Sequence, residues 1–187
     1  TLAQFSVGLH LLDLEVRHDR EVEDRGGRRD GDDGDPVIED VLDEVCKVFP
    51  SKFIHIGGDE APKTQWKKSP FAQSVMKREG LKNEDELQSY IIKRVEGILT
   101  KRGRRLIGWD EILEGGLVEG AAVMSWRGTE GGIAAAKQKH YVVMTPGSHC
   151  YFDHYQGKPE NEPLAIGGFT SLEKVYNFNP MPKELDL

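Results

Sequence analysis

Apolar residues recur at helical spacing from Ile38 through Val41, Leu42, Val45 and Phe49, with Asp35-Pro36 before them and Pro50 after. An aspartate N-cap with proline at the first helical position opens such a run and a second proline ends it, so the pattern predicts a helix. The period then changes. Phe53-Ile54-His55-Ile56 is a short β-favouring run, as in a parallel strand covered on both faces, and it meets Gly57-Gly58 and then Asp59-Glu60. Ala61 to Ser69 is polar and predicts a loop carrying Trp66, and Pro70 to Glu79 a short helix closed by Gly80. Asn83 with Glu86 gives a capping-box-like start to a long helix whose apolar face is Leu87, Tyr90, Ile91, Val95, Ile98 and Leu99, ended by Gly103.

Three more strands follow in the pattern. Arg105 to Glu111 ends in Trp109-Asp110-Glu111, Ala121 to Trp126 ends in a second tryptophan, and Tyr141 to Thr145 runs into Pro146-Gly147. Gly131 to His140 reads as a helix between the last two. An aromatic loop, Tyr151-Phe152-Asp153-His154-Tyr155, and a loop-rich tail with a short helix near Ser171 to Tyr176 complete the chain. Alternating helices and strands imply a parallel sheet with helical crossovers, an α/β architecture. Each strand ends in a polar or aromatic side chain, so one rim collects acids and indoles, as on the active rim of a (β/α)8 barrel. About four central strands make only part of such a barrel.

Before Val37 the pattern fails. Thr1 to Val16 is apolar enough for a strand or a short helix and lacks the basic start and cleavage site of a secretory leader. Arg17 to Asp35 holds almost no apolar residue and predicts a poorly ordered segment, because it buries too little surface to offset its ordering entropy. The expected organisation is therefore a segment 1–35 outside the domain and a partial barrel over 36–187. Asp30, Asp32, Asp33 and Asp35 match a calcium loop poorly, since the closing glutamate is misplaced.

Composition narrows the partners. The 187 residues carry 25 basic and 32 acidic side chains, a net charge of −7, which gives no footprint for a nucleic acid. No apolar run is long enough to cross a bilayer. Cys46 and Cys150 make neither a disulfide framework nor a metal cluster, and Cys46 falls in the first helical pattern as a small core residue.

The chemistry-bearing residues concentrate at strand ends. Gly57 and Gly58 let the backbone bend and a ligand come close, and Asp59-Glu60 then puts two carboxylates where α/β enzymes react their substrates. Buried neighbouring acids push one another's pKa values apart, giving a proton donor beside an anion. The bland alternative is a capping aspartate beside a solvated glutamate. Trp109 and Trp126 at equivalent strand ends suit stacking against the apolar face of a sugar, with acids accepting from its hydroxyls.

The string His55-Ile56-Gly57-Gly58-Asp59-Glu60 resembles the signature of family 20 glycoside hydrolases, the β-N-acetylhexosaminidases. Gly108-Trp109-Asp110-Glu111, Ser125-Trp126 and Tyr151-Phe152-Asp153 follow in that family's order, so the resemblance covers Val37 to the C-terminus. It implies a retaining exo-β-N-acetylhexosaminidase acting by substrate-assisted catalysis on a glycan or glycoconjugate ending in N-acetylglucosamine or N-acetylgalactosamine. Glu60 would be the acid and then the base, and Asp59 would orient the 2-acetamido group. Trp109 and Trp126 would wall the acetamido pocket, Tyr151 would donate to the acetamido oxygen, and Asp153 would bind hydroxyls. Asp110 and Glu111 would be supporting partners, and His55 a buried hydrogen-bonding residue. The resemblance implies no metal or organic cofactor and leaves the oligomeric state unspecified; enzymes of this kind are commonly exported. It also implies further strands before Phe53 and after Tyr141, so the chain is expected to be the middle of a catalytic domain, with residues 1–35 read from a shifted frame. Two alternatives stay open: a carbohydrate-binding fragment without turnover, and a barrel glycosidase whose nucleophile is Asp110, Glu111 or Asp153.

Overall fold

The helical spacing from Ile38 produces α1, Pro36–Val48, in the computed structural model, which describes residues 36–185. The expectations for Thr1 to Val16, for 17–35 and for the aspartates between 30 and 35 lie outside the described residues. Within them the structure divides into two compact units, one ending at Ala121 and the other starting at Ala122.

In the first unit α1 buries Ile38, Leu42 and Val45 and leaves its polar side to solvent. Each such fully buried aliphatic side chain stabilises the fold by about 1.5–3 kcal/mol. Arg104 anchors the end of α1 by donating from Nη2 to the Cys46 carbonyl (3.0 Å) and from Nη1 to the Pro50 and Ser51 carbonyls (2.7 and 2.8 Å). That satisfies a carbonyl in the last turn of the helix and fixes the approach to the first strand. Cys46 itself is only half-buried.

Strand β1, Phe53–His55, pairs in parallel with β2, Arg105–Trp109, in the register Phe53↔Arg105, Ile54↔Leu106, His55↔Ile107. Between them run α2 (Thr64–Lys68), α3 (Pro70–Glu79) and α4 (Glu84–Lys101). Helix α2 corrects the predicted loop over Ala61–Ser69: a five-residue helix is too short to display a period, and burial of Trp66 fixes it. Helix α3 is capped by Ser69, which accepts from the Ala72 amide at 3.2 Å, and ends at Gly80 with φ +68°. Helix α4 turns Leu87, Gln88, Ile91, Ile92, Val95, Ile98 and Leu99 into the core, while Tyr90, predicted on that face, is half-buried. After β2 the chain tightens into a 3₁₀ turn, Asp110–Leu113.

The second unit contains a second parallel pair, β3 (Ala122–Ser125) and β4 (Val142–Met144), in the register Val123↔Val142, Met124↔Val143, Ser125↔Met144. Helix α5, Glu130–Lys137, is the crossover between them. A helical turn, α6 (Gly147–Cys150), precedes the aromatic loop, and α7 (Leu172–Tyr176) starts at Ser171, whose hydroxyl accepts from the Lys174 amide at 3.2 Å. Short 3₁₀ turns at Pro159–Asn161 and Lys183–Leu185 were not visible as periods in the sequence. No helix among the described residues is long and apolar enough to cross a membrane.

Candidate active site

The end of β1 is built from backbone geometry that few side chains tolerate. Gly57, Gly58 and Glu60 all have positive φ, at +77°, +95° and +46°. For glycine that region is free; for glutamate it is strained, and strain of this kind collects at functional sites. At Gly58 the space expected for a ligand is taken by the protein itself: a Cβ there would lie 2.7 Å from Ile112 Cγ2 of the 3₁₀ turn, a contact between segments that spacing along the chain does not show. Gly108 on β2 is pressed by the same side chain, with a Cβ meeting Ile112 Cγ2 at 2.8 Å and the Gly57 carbonyl at 3.0 Å. The glycines thus let β1, β2 and the turn interlock.

Two main-chain bonds continue the strand ladder into this turn. Ile56 N donates to the Ile107 carbonyl, and Trp109 N donates to the Gly57 carbonyl, both at 2.9 Å. Trp109 therefore stands beside the acid-bearing turn, its ring edge-on to His55 with centroids 4.8 Å apart and planes at 65°. His55 is buried, and its Nδ1 accepts from the Gly57 amide at 3.1 Å. The proton of the neutral ring then sits on Nε2. Burial pulls the His55 pKa down to about 4, with the Asp59 carboxylate opposing the shift.

Adjacent in sequence, Asp59 and Glu60 fall in different surroundings. Asp59 is half-buried, and its Oδ1 is a buried acceptor with no hydrogen-bond partner among the described residues. Glu60 is exposed, which differs from the expectation of two buried acids; its left-handed backbone departs from simple strand alternation. Asp110 and Glu111 are buried in the 3₁₀ turn, at 2% and 7% exposure.

A polar group that the periodicity does not register lies under the turn. Gln88, fully buried on α4, donates from Nε2 to the Gly58 carbonyl at 2.8 Å and accepts at Oε1 from Lys63 Nζ. The available signal was a glutamine on the apolar stripe, one turn ahead of Ile91 and Ile92. Burial lowers the Lys63 pKa, against the carboxylates of Asp85, Glu114 and Glu111.

The second unit groups the remaining predicted residues. Ser125, fully buried at the end of β3, donates to the Gly128 carbonyl and accepts from the Gly132 amide, each at 2.9 Å. Those bonds shape the turn that carries Trp126, which is half-buried. The Trp126 and Tyr151 rings are nearly parallel, 7° between planes and 6.3 Å between centroids. Tyr151 also lies 5.9 Å from the ring of His154, whose Nδ1 is 3.0 Å from Thr170 Oγ1. Asp153, in the same loop, is exposed. The first unit thus carries Asp59, Glu60 and Trp109 at the ends of two paired strands, and the second sets Trp126 against Tyr151, with Asp153 two residues further along the same loop. No group of three or more potential metal-ligating side chains occurs among the described residues.

Comparison with known proteins gives consistent similarity. The model of glycosyl hydrolase family 20, catalytic domain, matches residues 30–186. A β-hexosaminidase of Porphyromonas gingivalis is 61% identical over 149 residues, covering 79% of this chain and 19% of the relative. A β-hexosaminidase of Vibrio furnissii is 36% identical over 143 residues, covering 75% and 23%. Among solved structures, an inactive mutant of an exo-β-N-acetylglucosaminidase from Vibrio harveyi superimposes with a TM-score of 0.71 at 33% identity, over 78% of this chain and 23% of that one. A β-N-acetylhexosaminidase from Bacteroides fragilis gives 0.66 at 28% identity, over 78% and 30%. The chain spans about a fifth of the length of these two curated relatives.

Proposed function

The chain belongs to glycosyl hydrolase family 20, through its catalytic domain, and on that premise we propose that it carries the acid pair and acetamido-pocket residues of a retaining exo-β-N-acetylhexosaminidase. Its fold is part of a (β/α)8 barrel. The substrate would be a glycan with a terminal β-linked N-acetylglucosamine or N-acetylgalactosamine. The observation that carries the proposal is the contrast at Asp59-Glu60: a buried carboxylate oxygen without a partner among the described residues, beside an exposed acid on strained backbone.

In this chemistry Glu60 gives its proton to the glycosidic oxygen as the bond to the anomeric carbon breaks. The carbonyl oxygen of the sugar's own 2-acetamido group forms the new bond to that carbon, giving a cyclic oxazolinium. Asp59 accepts from the acetamido N–H, an electrostatic role that grows as positive charge develops on the amide. Water then opens the ring, losing a proton to Glu60, and configuration is retained. A partnerless buried acceptor beside an accessible acid supports this division of labour: one carboxylate stays in place, the other exchanges protons. We assign Trp109 and Trp126 each to substrate binding, Tyr151 to the acetamido oxygen and Asp153 to a sugar hydroxyl. Burial of Asp110 and Glu111 counts against either as a nucleophile and favours supporting roles. We also propose 36–187 as the catalytic portion and 1–35 as outside it, with the family match reaching six residues further, to residue 30.

The test is hydrolysis of a chromogenic β-N-acetylglucosaminide by the full-length protein that carries this chain, with Glu60→Gln and Asp59→Asn. Both variants are expected to lose at least about 100-fold in kcat. A thiazoline mimic of the cyclic intermediate should inhibit. Retained rates in both variants, or covalent trapping of a protein carboxylate, would overturn the assignment.

A further inference from the structure

The Gly58 carbonyl and the Asp59 amide belong to one planar peptide unit, so whatever fixes that carbonyl also fixes the direction in which the Asp59 backbone leaves. The fixing group is Gln88, through the 2.8 Å bond from its Nε2. Gln88 is itself set, because its Oε1 accepts from Lys63 Nζ, and Lys63 is held over the Trp66 ring (5.4 Å) and beside Asp85 Oδ1 (3.8 Å). The chain α2–Lys63–Gln88–Gly58 thus runs from one helix, through the buried face of another, to the acid-bearing turn. A leucine at position 88 would suit an apolar stripe with less desolvation, so a fully buried glutamine implies a polar task. The turn needs such support: φ is positive at three of its four residues, glutamate included.

We propose that Gln88, oriented by Lys63, is a positioning residue for Asp59, locking the 58–59 peptide so that Asp59 Oδ1 is presented to the acetamido N–H. The inference deepens the proposed substrate-assisted reading and rests on it. Gln88 touches no reacting atom. Its effect passes through Asp59, and that distinguishes it from a residue that merely stabilises α4.

The experiment is a double-mutant cycle in the full-length protein, with kcat and KM measured on the chromogenic β-N-acetylglucosaminide and folding checked by thermal melting. Gln88→Met should lower kcat by about 10- to 100-fold with KM little changed, since small misplacements of a reacting constellation have effects of that size. In the Asp59→Asn background the same change should cost no more than about twofold, because the group it positions is already lost. Equal losses in both backgrounds, or an unchanged kcat in a folded Gln88→Met protein, overturn the inference while leaving the activity assignment intact. If Gln88→Met does not fold, Lys63→Met decides by the same cycle: a smaller, non-additive loss supports positioning and an additive one refutes it. A folded wild-type protein without activity overturns both the reaction and this role.

Discussion

His55 sits on β1 with its ring against Trp109 and its Nδ1 committed to the Gly57 amide, while Nε2 is buried without a partner among the described residues. The sequence implies a buried hydrogen-bonding residue at this position, and the structure places one there. Charging this ring in place is costly, which is why its pKa falls from 6.5 to about 4. In the unfolded chain His55 takes up a proton as pH falls through 6.5, whereas the folded chain refuses it until about pH 4. The stabilising contribution is therefore complete above pH 6.5 and lost as pH drops through that window, to a limit of about 3 kcal/mol. Denaturant midpoints measured from pH 7 down to 4.5 should decline. His55→Asn keeps an acceptor for Gly57 N and does not titrate, so its decline should be visibly shallower. An equal slope in the variant would mean that another group is responsible.

Elements were legible where a period or a cap announced them, and α4 shows why. Asn83 Oδ1 accepts from the Glu86 amide at 2.9 Å, while Glu86 Oε2 accepts from the Lys82 amide at 2.8 Å, so helix entry is written in side chains. Asn83→Ala should cost about 1 kcal/mol by chemical denaturation and Asn83→Asp much less; an Ala variant as stable as wild type would show that water replaces the cap. Helix α2 had no such signal, and Trp66, apparently stranded in a polar loop, is a core residue. Nor did spacing alone separate the glycines that admit a ligand from those that admit the protein. Gly58 and Gly108 both yield their space to Ile112, a contact fixed only once β1 and β2 are paired. Gly108→Ala should therefore destabilise by about 1–3 kcal/mol. Ile112→Ala should be less harmful in that background than alone, with a coupling of about 1 kcal/mol in a double-mutant cycle. Additive losses would place the strain elsewhere.

At the scale of the whole chain, the order of motifs carried the family assignment: acids after β1, then indoles after β2 and β3, then an aromatic loop. Support for those motifs was less visible: Gln88 and Thr170 act through contacts between segments distant in sequence, and Ser125 through two bonds within a turn that no period announces. The surface of the second unit also carries more apolar side chains than a loop-rich tail ordinarily leaves to solvent. Leu164, Ile166, Leu172 and Tyr176 are 95%, 78%, 80% and 87% exposed. Single exposed apolar residues are ordinary, but four large ones within thirteen positions of sequence, in a loop-rich stretch, are more than solvent alone favours. The relatives supply a context, since this chain spans only 19% and 23% of the two curated β-hexosaminidases. Prepared by itself, the 187-residue chain should bind an apolar dye such as ANS and self-associate at micromolar concentration. Replacing the four side chains with serine or glutamate should remove most of the dye signal and shift the sedimentation toward monomer, without lowering the denaturant midpoint, because none of them is in the core. A monodisperse wild-type chain that leaves the dye dark would show that these side chains find cover within the molecule.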